Sequence, residues 1–177
     1  SEMCIRDRCR SAGIRPSAAV LVATIRALKF HGGVARENLT EENLEALEKG
    51  LANLDRHITN IRDNYGVPAV VSINQFIADT QAEIDLIVEH CRIRGIQVAL
   101  SSHWANGGAG ATELAEMVVS LCDADETPAN TPHQSFVYPD SATLFEKVEA
   151  VATKIYGASE VTANACLLYT SPSPRDT

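Results

Sequence analysis

Three short apolar runs alternate along the chain with longer stretches in which apolar residues recur every three or four positions. The runs cover residues 18–25, 67–74 and 96–102, and each has the length and the apolar content of a strand. The first run, AAVLVATI, has no polar alternation, which is typical of a strand covered on both faces. The pattern therefore predicts three strands, the first of them covered on both sides.

The amphipathic stretches between and after these runs predict four helices. The longest covers about residues 41–64, where leucine and isoleucine recur at alternating spacings of three and four and form one stripe. Thr40 is its expected N-cap, and Asn43 three positions later completes only part of a capping box. A loop containing HGG precedes this helix. The other helices are predicted over residues 80–95, 111–124 and 141–157.

Strands and helices that alternate at short spacing predict an α/β fold, with a parallel β-sheet and flanking helices. In such sheets ligands bind beyond the carboxyl ends of the strands. Two loops lie at that edge. The loop NQFIADT, residues 74–80, follows the second strand, and SHWANGGAG, residues 102–110, follows the third.

Composition narrows the class of partner. A chain of 177 residues is long enough for one domain, and it could equally be a piece of a larger protein. Its net charge of −8 argues against nucleic acid or an anionic membrane surface as a binding partner. No stretch approaches the roughly 20 apolar residues of a membrane span. Cysteine and histidine show no metal-ligand spacing, so no metal site is expected. Cys91 and Cys122 lie in apolar helical patterns and are interpreted as reduced, buried thiols of a cytoplasmic protein.

Phe76 and Trp104 each follow a predicted strand by a few residues. If the two strands are neighbours, both rings project from one edge of the sheet and face each other across a gap. A flat heterocycle could lie between them, since aromatic stacking contributes about 0.5–1.5 kcal/mol per pair beyond area burial. The alternative is that both rings fold back and cap the sheet edge.

Small and polar residues in the same loops are candidate contacts to a substrate or nucleotide. Gly107, Gly108 and Gly110 permit a close approach of backbone to a ligand and precede a helix N-terminus, which favours anions. A plain turn before a helix accounts for them as well. Asn74 and Asp79 resemble the residues with which nucleotide-binding α/β proteins read a base, although ordinary Asx-turn capping explains them equally.

Five segments, in order and spacing, resemble the formate–tetrahydrofolate ligase family, also called formyltetrahydrofolate synthetase. They read VATIRALKFHGGV, ENLEALEKGLANLDRHITNIRDNYGVPAVVSINQF, DTQAEIDLI, WANGGAGATELAE and KIYGA. The resemblance implies an ATP-dependent ligase that joins formate to tetrahydrofolate through formyl phosphate and gives 10-formyltetrahydrofolate, ADP and phosphate. It also implies that Phe76 and Trp104 sandwich the pterin ring of the folate.

The same resemblance implies part of a P-loop NTPase-like fold, ATP with Mg²⁺, a monovalent cation, small-molecule substrates and a homo-oligomer for the full-length protein. The chain departs from the family pattern at Gln75 and Ala78, where the family commonly has Arg and Thr. It departs again at Asn106 and Ala109, which replace a Lys and a Glu. The charged contacts that the family makes at these points are therefore not expected here.

The sequence contains no G-x-G-K-[ST] phosphate-binding loop, which in this family lies upstream of the matching region. Backbone amides and a lysine on the β- and γ-phosphates are what phosphoryl transfer requires. We therefore expect an internal fragment that carries the folate-side loops and is inactive as a ligase by itself.

Both ends of the chain look foreign to the rest. Codons that encode residues 1–8 have a reverse complement that, in a shifted frame, encodes residues 166–172, as one sequencing adapter read in both directions would. Residues 1–8 and 166–177 are therefore interpreted as adapter translation, and residues 9–165 as the natural segment.

Two other functions stay open. The chain could be a piece of another GTPase-like or ATPase-like protein, or a non-enzymatic α/β domain whose long helix packs on a partner.

Overall fold

Three parallel strands form the sheet in this computed structural model, which describes residues 12–14, 16–124 and 136–162. The strands are β1 (Ala19–Ala23), β2 (Ala69–Asn74) and β3 (Gln97–Ser101), in the order β1-β2-β3. Ala19 pairs with Ala69, and Val70 pairs with Gln97, both in parallel register. The predicted α/β class with a parallel sheet and flanking helices is confirmed, and the predicted terminal segments 1–8 and 166–177 lie outside the described residues.

The central strand is the best covered of the three. Val70, Val71 and Ile73 of β2 are fully buried, because helices pack on both faces of the sheet at this position. The prediction that the first strand is covered on both faces is wrong. Val20 and Val22 of β1 are 41% and 62% exposed. They share one face of an edge strand, which the apolar run alone could not reveal.

A short helix absent from the prediction follows β1 directly. Helix α1 (Ile25–His31) begins after Thr24, whose Oγ1 accepts a hydrogen bond from the amide of Ala27 at 3.2 Å. Ile25 was expected to close the strand, with a loop after it. A β-branched residue at the end of an apolar run favours strand in a sequence window, and the threonine cap overrides that preference.

The long helix α2 (Leu44–Thr59) is confirmed, and a π-helical turn, Asn60–Asn64, extends it. Its N-cap is Asn43, whose Oδ1 accepts from the amide of Ala46 at 2.9 Å, so the expected cap at Thr40 is wrong. The leucine stripe faces the sheet and builds the core. The buried members of that stripe are Leu47, Leu51, Leu54 and Ile58.

Helices α1 and α2 approach each other so closely that only glycine fits at two contact points. A Cβ at Gly32 would collide with the carbonyl oxygen of Ala46, and a Cβ at Gly50 would collide with the carbonyl oxygen of Leu28. The C-cap of α1 and the middle of α2 thus each present a glycine to the backbone of the other segment. This contact fixes α1 against the core although α1 has only seven residues.

Helix α3 (Gln81–Ile93) connects β2 to β3 and begins with a capping box. The amide of Glu83 donates to Thr80 Oγ1, and the amide of Thr80 donates back to Glu83 Oε2. The same glutamate is fully buried and forms an ion pair with Lys29 of α1, with 2.8 Å between Lys29 Nζ and Glu83 Oε1. Glu83 Oε1 also accepts from the amide of Asn43, and Lys29 Nζ also donates to the carbonyl of Glu41.

After β3 the chain forms a one-turn helix α4 (His103–Asn106), a 3₁₀ turn (Gly107–Ala111) and helix α5 (Thr112–Asp123).

Of the two cysteines that were predicted to be buried, Cys91 is buried in the structure. Its burial is the main cause that raises the pKa of the thiol to about 11. Cys122 is exposed, so that half of the prediction is wrong. Within the described residues, no helix has the length and apolar character needed to cross a membrane.

Residue contacts divide the chain into two units, residues 1–133 and 134–177. The described part of the second unit contains helix α6 (Leu144–Ala150) and a π-helical turn, Val151–Ile155. Thr143 caps α6 in a capping box with Glu146, and Lys154 Nζ donates to the carbonyl of Val137 at 2.9 Å. The predicted helix at residues 141–157 is thus confirmed over most of its length.

Gly50→Ala tests the close approach of α1 and α2. Alanine in a helix interior normally stabilises relative to glycine by about 0.5–1 kcal/mol. Here the added methyl group would strike the Leu28 carbonyl, so we expect the free energy of unfolding to fall by about 1–3 kcal/mol. Urea denaturation measures the change. Gly108→Ala is the matched control, since its Cβ would meet nothing within 4 Å, and equal effects of the two variants would contradict the close approach.

Glu83→Gln tests the buried ion pair. Removing one charge leaves the Lys29 ammonium buried without its partner, so we expect the free energy of unfolding at pH 7 to fall by about 3–5 kcal/mol. The control is Glu45→Gln, which breaks the solvent-exposed pair with Lys49 and should change stability little. Chemical denaturation of both variants against the unsubstituted chain measures the difference.

The loss caused by Glu83→Gln should depend on pH. Burial acts to raise the pKa of Glu83, but hydrogen bonds from Lys29 and from the amides of Thr80 and Asn43 outweigh it and hold the pKa below 4.5. A lowered carboxyl pKa contributes stability that is complete above 4.5 and is lost as the pH falls through the folded-state pKa. The two proteins should therefore converge in stability in acid, and a gap that stays constant below pH 4.5 would contradict this origin.

Candidate functional site

The loops after β2 and β3 meet at the carboxyl edge of the sheet, as their positions after neighbouring strands predict. The amide of Gln75 donates to the carbonyl of Ser101 at 3.1 Å, which extends the ladder one residue past β2. The carbonyl of Gln75 in turn accepts from the indole Nε1 of Trp104. Backbone and side chain thus join the two loops beside Phe76.

Asp79 closes the loop that carries Phe76. Its Oδ2 accepts from the amide of Phe76 at 2.8 Å, and its own amide donates to the carbonyl of Phe76 at 3.0 Å. Ile77, at the tip, is 86% exposed. Between the two interpretations of Asp79, these bonds favour the loop-closing one, in which the carboxylate holds the Phe76 backbone in place.

Trp104 lies in α4, one turn of helix directly after β3. The residue is 51% exposed although its indole N–H has a partner in the Gln75 carbonyl. Tryptophan is usually well buried, so this degree of exposure is uncommon. The polar edge is therefore anchored while apolar surface stays accessible at the edge of the sheet.

The three glycines of the second loop differ in whether the backbone requires glycine at their positions. Gly107 has φ +55° and ψ −141°, a conformation that residues with a Cβ rarely adopt. A Cβ at Gly110 would lie 2.7 Å from the carbonyl carbon of Ser102, whose amide donates to the Gly110 carbonyl at 3.1 Å. Gly108 has open space around it. Two of the three are thus required to build the turn before α5.

Two polar atoms at this edge are buried without a hydrogen-bond partner among the described residues. They are Nε of Arg26, on α1, and Oδ1 of Asn74, at the end of β2. The Arg26 guanidinium also lies over the ring of Phe76, with 4.9 Å between Cζ and the ring centroid. A donor, an acceptor and two aromatic rings therefore belong to the ends of three neighbouring strands.

Arg26 is a site residue that the sequence prediction lacks. It follows β1 by three residues, so it lies at the same carboxyl edge as the loops after β2 and β3. The apolar run that continues to Ile25 reads as strand and hides the helix that carries Arg26.

Asn74, Phe76 and Asp79 lie at the end of β2 and in the loop after it, as predicted. Trp104 lies in the one-turn helix α4 and the three glycines lie in a 3₁₀ turn, where the prediction had a loop. Which ligand these residues contact stays a prediction.

This arrangement suits binding of a flat heterocycle better than metal chemistry. The rings offer stacking surface, the Arg26 cation lies against one of them, and Asn74 has an unpartnered acceptor for a ring N–H or an amino group. Within residues 12–14, 16–124 and 136–162, no group of three or more histidine, cysteine or acidic side chains could hold a metal ion.

Comparison with known proteins agrees with the resemblance. The family model for formate–tetrahydrofolate ligase matches residues 2–167. Formate–tetrahydrofolate ligase of Methylococcus capsulatus is 52% identical over 165 residues, which cover 93% of this chain and 29% of that protein. Those of Methylibium petroleiphilum and Granulibacter bethesdensis are both 50% identical, over 93% and 90% of this chain and 29% and 27% of theirs.

The chain thus spans less than a third of the length of the curated relatives it matches. The match runs through the sheet, both edge loops and the helices that support them, so it includes every candidate site residue. The chain belongs to the formate–tetrahydrofolate ligase family.

Proposed function

We propose that this chain provides the folate-binding loops of an ATP-dependent ligase that joins formate to tetrahydrofolate. In the full-length protein the reaction runs through formyl phosphate and gives 10-formyltetrahydrofolate, ADP and phosphate. The observation that carries the proposal is the half-exposed Trp104, whose N–H binds the Gln75 carbonyl next to Phe76 in a chain of this family.

The pterin ring of the folate would lie between Phe76 and Trp104. The pyrimidine ring of a tetrahydropterin is flat and carries a polar rim of amide and amino groups, while the reduced ring beside it is puckered. Stacking on the two rings covers its faces, and the free Oδ1 of Asn74 would accept a hydrogen bond from an N–H of the rim. Asp79, Gly107 and Gly110 would act by holding the loops in the required shape.

Formate activation belongs to parts of the protein outside this chain. ATP with Mg²⁺ needs a phosphate-binding loop, and the sequence has none of the G-x-G-K-[ST] kind. Residues 9–165 alone would therefore bind the folate but not make formyl phosphate. A monovalent cation, homo-oligomer formation, the P-loop NTPase-like fold and a cytoplasmic location belong to the same proposal for the full-length protein.

The structure weighs against both alternative functions. A base-reading role for Asp79 competes with the 2.8 Å bond that its carboxylate accepts from the Phe76 amide. A partner-binding role for the long helix requires an accessible apolar stripe, but Leu47 and Leu51 of α2 are fully buried against the sheet. The folate interpretation leaves both sets of contacts intact.

Titration of the chain with tetrahydrofolate tests the proposal through Trp104, the single tryptophan of the sequence. We expect saturable quenching of its fluorescence after inner-filter correction, because the pterin stacks on the indole. Phe76→Leu should weaken the apparent affinity about two- to tenfold, which corresponds to the loss of one aromatic pair.

Phe30→Leu is the matched control. Phe30 is also a partly exposed phenylalanine, at 45%, and it lies beneath an arginine, Arg36, but it is not part of the two edge loops. It should leave the titration unchanged, and ATP should not quench. A folded chain whose fluorescence ignores tetrahydrofolate would contradict the proposal. Quenching by a guanine or adenine nucleotide in its place would favour the nucleotide-reading alternative.

A further inference from the structure

One face of the Phe76 ring is already occupied in the structure. The guanidinium of Arg26 lies over it at 4.9 Å, a cation–π contact of ordinary length. A ring stacked on one face by a planar cation has only its other face for a ligand. The position of Arg26 therefore decides from which side a heterocycle can approach Phe76.

The strand order gives that side. Phe76 follows β2, the central strand, while Arg26 follows β1 on one flank and Trp104 follows β3 on the other. Arg26 thus reaches Phe76 from the β1 side. Trp104 comes from the β3 side, and its indole donates a hydrogen bond to the Gln75 carbonyl. Arg26 and Trp104 therefore approach the Phe76 loop from opposite flanks of the sheet.

Arg26 is held there at a cost to stability. Its Nε is buried without a partner among the described residues, and such donors are rare because each loses its hydrogen bond to water without a replacement. Helix α1 nevertheless keeps Arg26 in place, since Lys29 one turn later is clamped by Glu83.

We propose that Arg26 is a positioning residue of the folate site: it supports the β1-side face of Phe76 and leaves the Trp104-side face for the pterin ring. The inference rests on the proposed function for the identity of the ligand. Electrostatics adds to the effect, because a cation on one face draws π-electron density toward itself. The opposite face then becomes a better surface for an electron-rich tetrahydropterin.

Three variants of the full chain test this role in the Trp104 titration with tetrahydrofolate. Arg26→Met should weaken binding about three- to tenfold, because the ring loses its cationic support. Arg26→Lys keeps the cation and should restore affinity to within about twofold of the parent chain. In a Phe76→Leu background, Arg26→Met should have no further effect, because the arginine acts through the ring.

The matched control is Arg36→Met. Arg36 makes the same kind of contact outside the site, with 5.5 Å between its Cζ and the centroid of the Phe30 ring. It should leave tetrahydrofolate binding unchanged. If Arg26→Met does not fold by circular dichroism, Arg26→Gln, which is also neutral, replaces it. Unchanged affinity in the neutral variant, or additive losses with Phe76→Leu, would overturn the positioning role.

A double-mutant cycle on unfolding separates this inference from the proposed function. If the parent chain does not bind tetrahydrofolate, the proposed function fails for this chain. The coupling energy between Arg26 and Phe76 in the folded state still tests whether the arginine supports the ring. We expect the cycle to show about a threefold or larger non-additivity in the unfolding equilibrium constant. Additive effects would overturn the inference whatever the folate result.

Discussion

The buried ion pair between Lys29 and Glu83 is the contact on which the rest of the site depends. It joins α1 to the first turn of α3, and both side chains are almost inaccessible to solvent. Taking two charges out of water is costly, and here further hydrogen bonds offset it, from Lys29 to the Glu41 carbonyl and from the Asn43 amide to Glu83. Glu83 also completes the capping box with Thr80, so one carboxylate fixes three segments of chain.

The geometry of the edge follows from that pair. Arg26 precedes Lys29 by about one helical turn, so clamping Lys29 also fixes the part of α1 that carries Arg26. Thr80 follows Asp79 directly, so fixing the start of α3 also fixes the end of the loop that presents Phe76. Because α1 has only seven residues and is too short to be stable alone, its place comes from this pair and from the glycine contacts with α2.

Sequence reasoning reached the strands, the long helices and the edge loops because each leaves a periodic or positional signal. It missed α1 because a short helix that continues an apolar run shows no change of period, and Arg26 was lost with it. The Asn43 cap and the exposed face of β1 at Val22 depend on tertiary contacts. The two aromatic residues could be placed at the edge, but the anchor of the Trp104 indole on a backbone carbonyl leaves no trace in sequence.

The exposed tryptophan is understandable once stability and binding are weighed separately. Burying Trp104 in the core would gain apolar contacts. Instead its indole N–H donates to the Gln75 carbonyl of the neighbouring loop, and about half of the residue is exposed to solvent. The unpartnered atoms of Arg26 and Asn74 oppose stability at the same edge. In the proposed folate site these features have separate uses, because the Asn74 Oδ1 is left for the ligand to satisfy while Arg26 supports the Phe76 ring from behind.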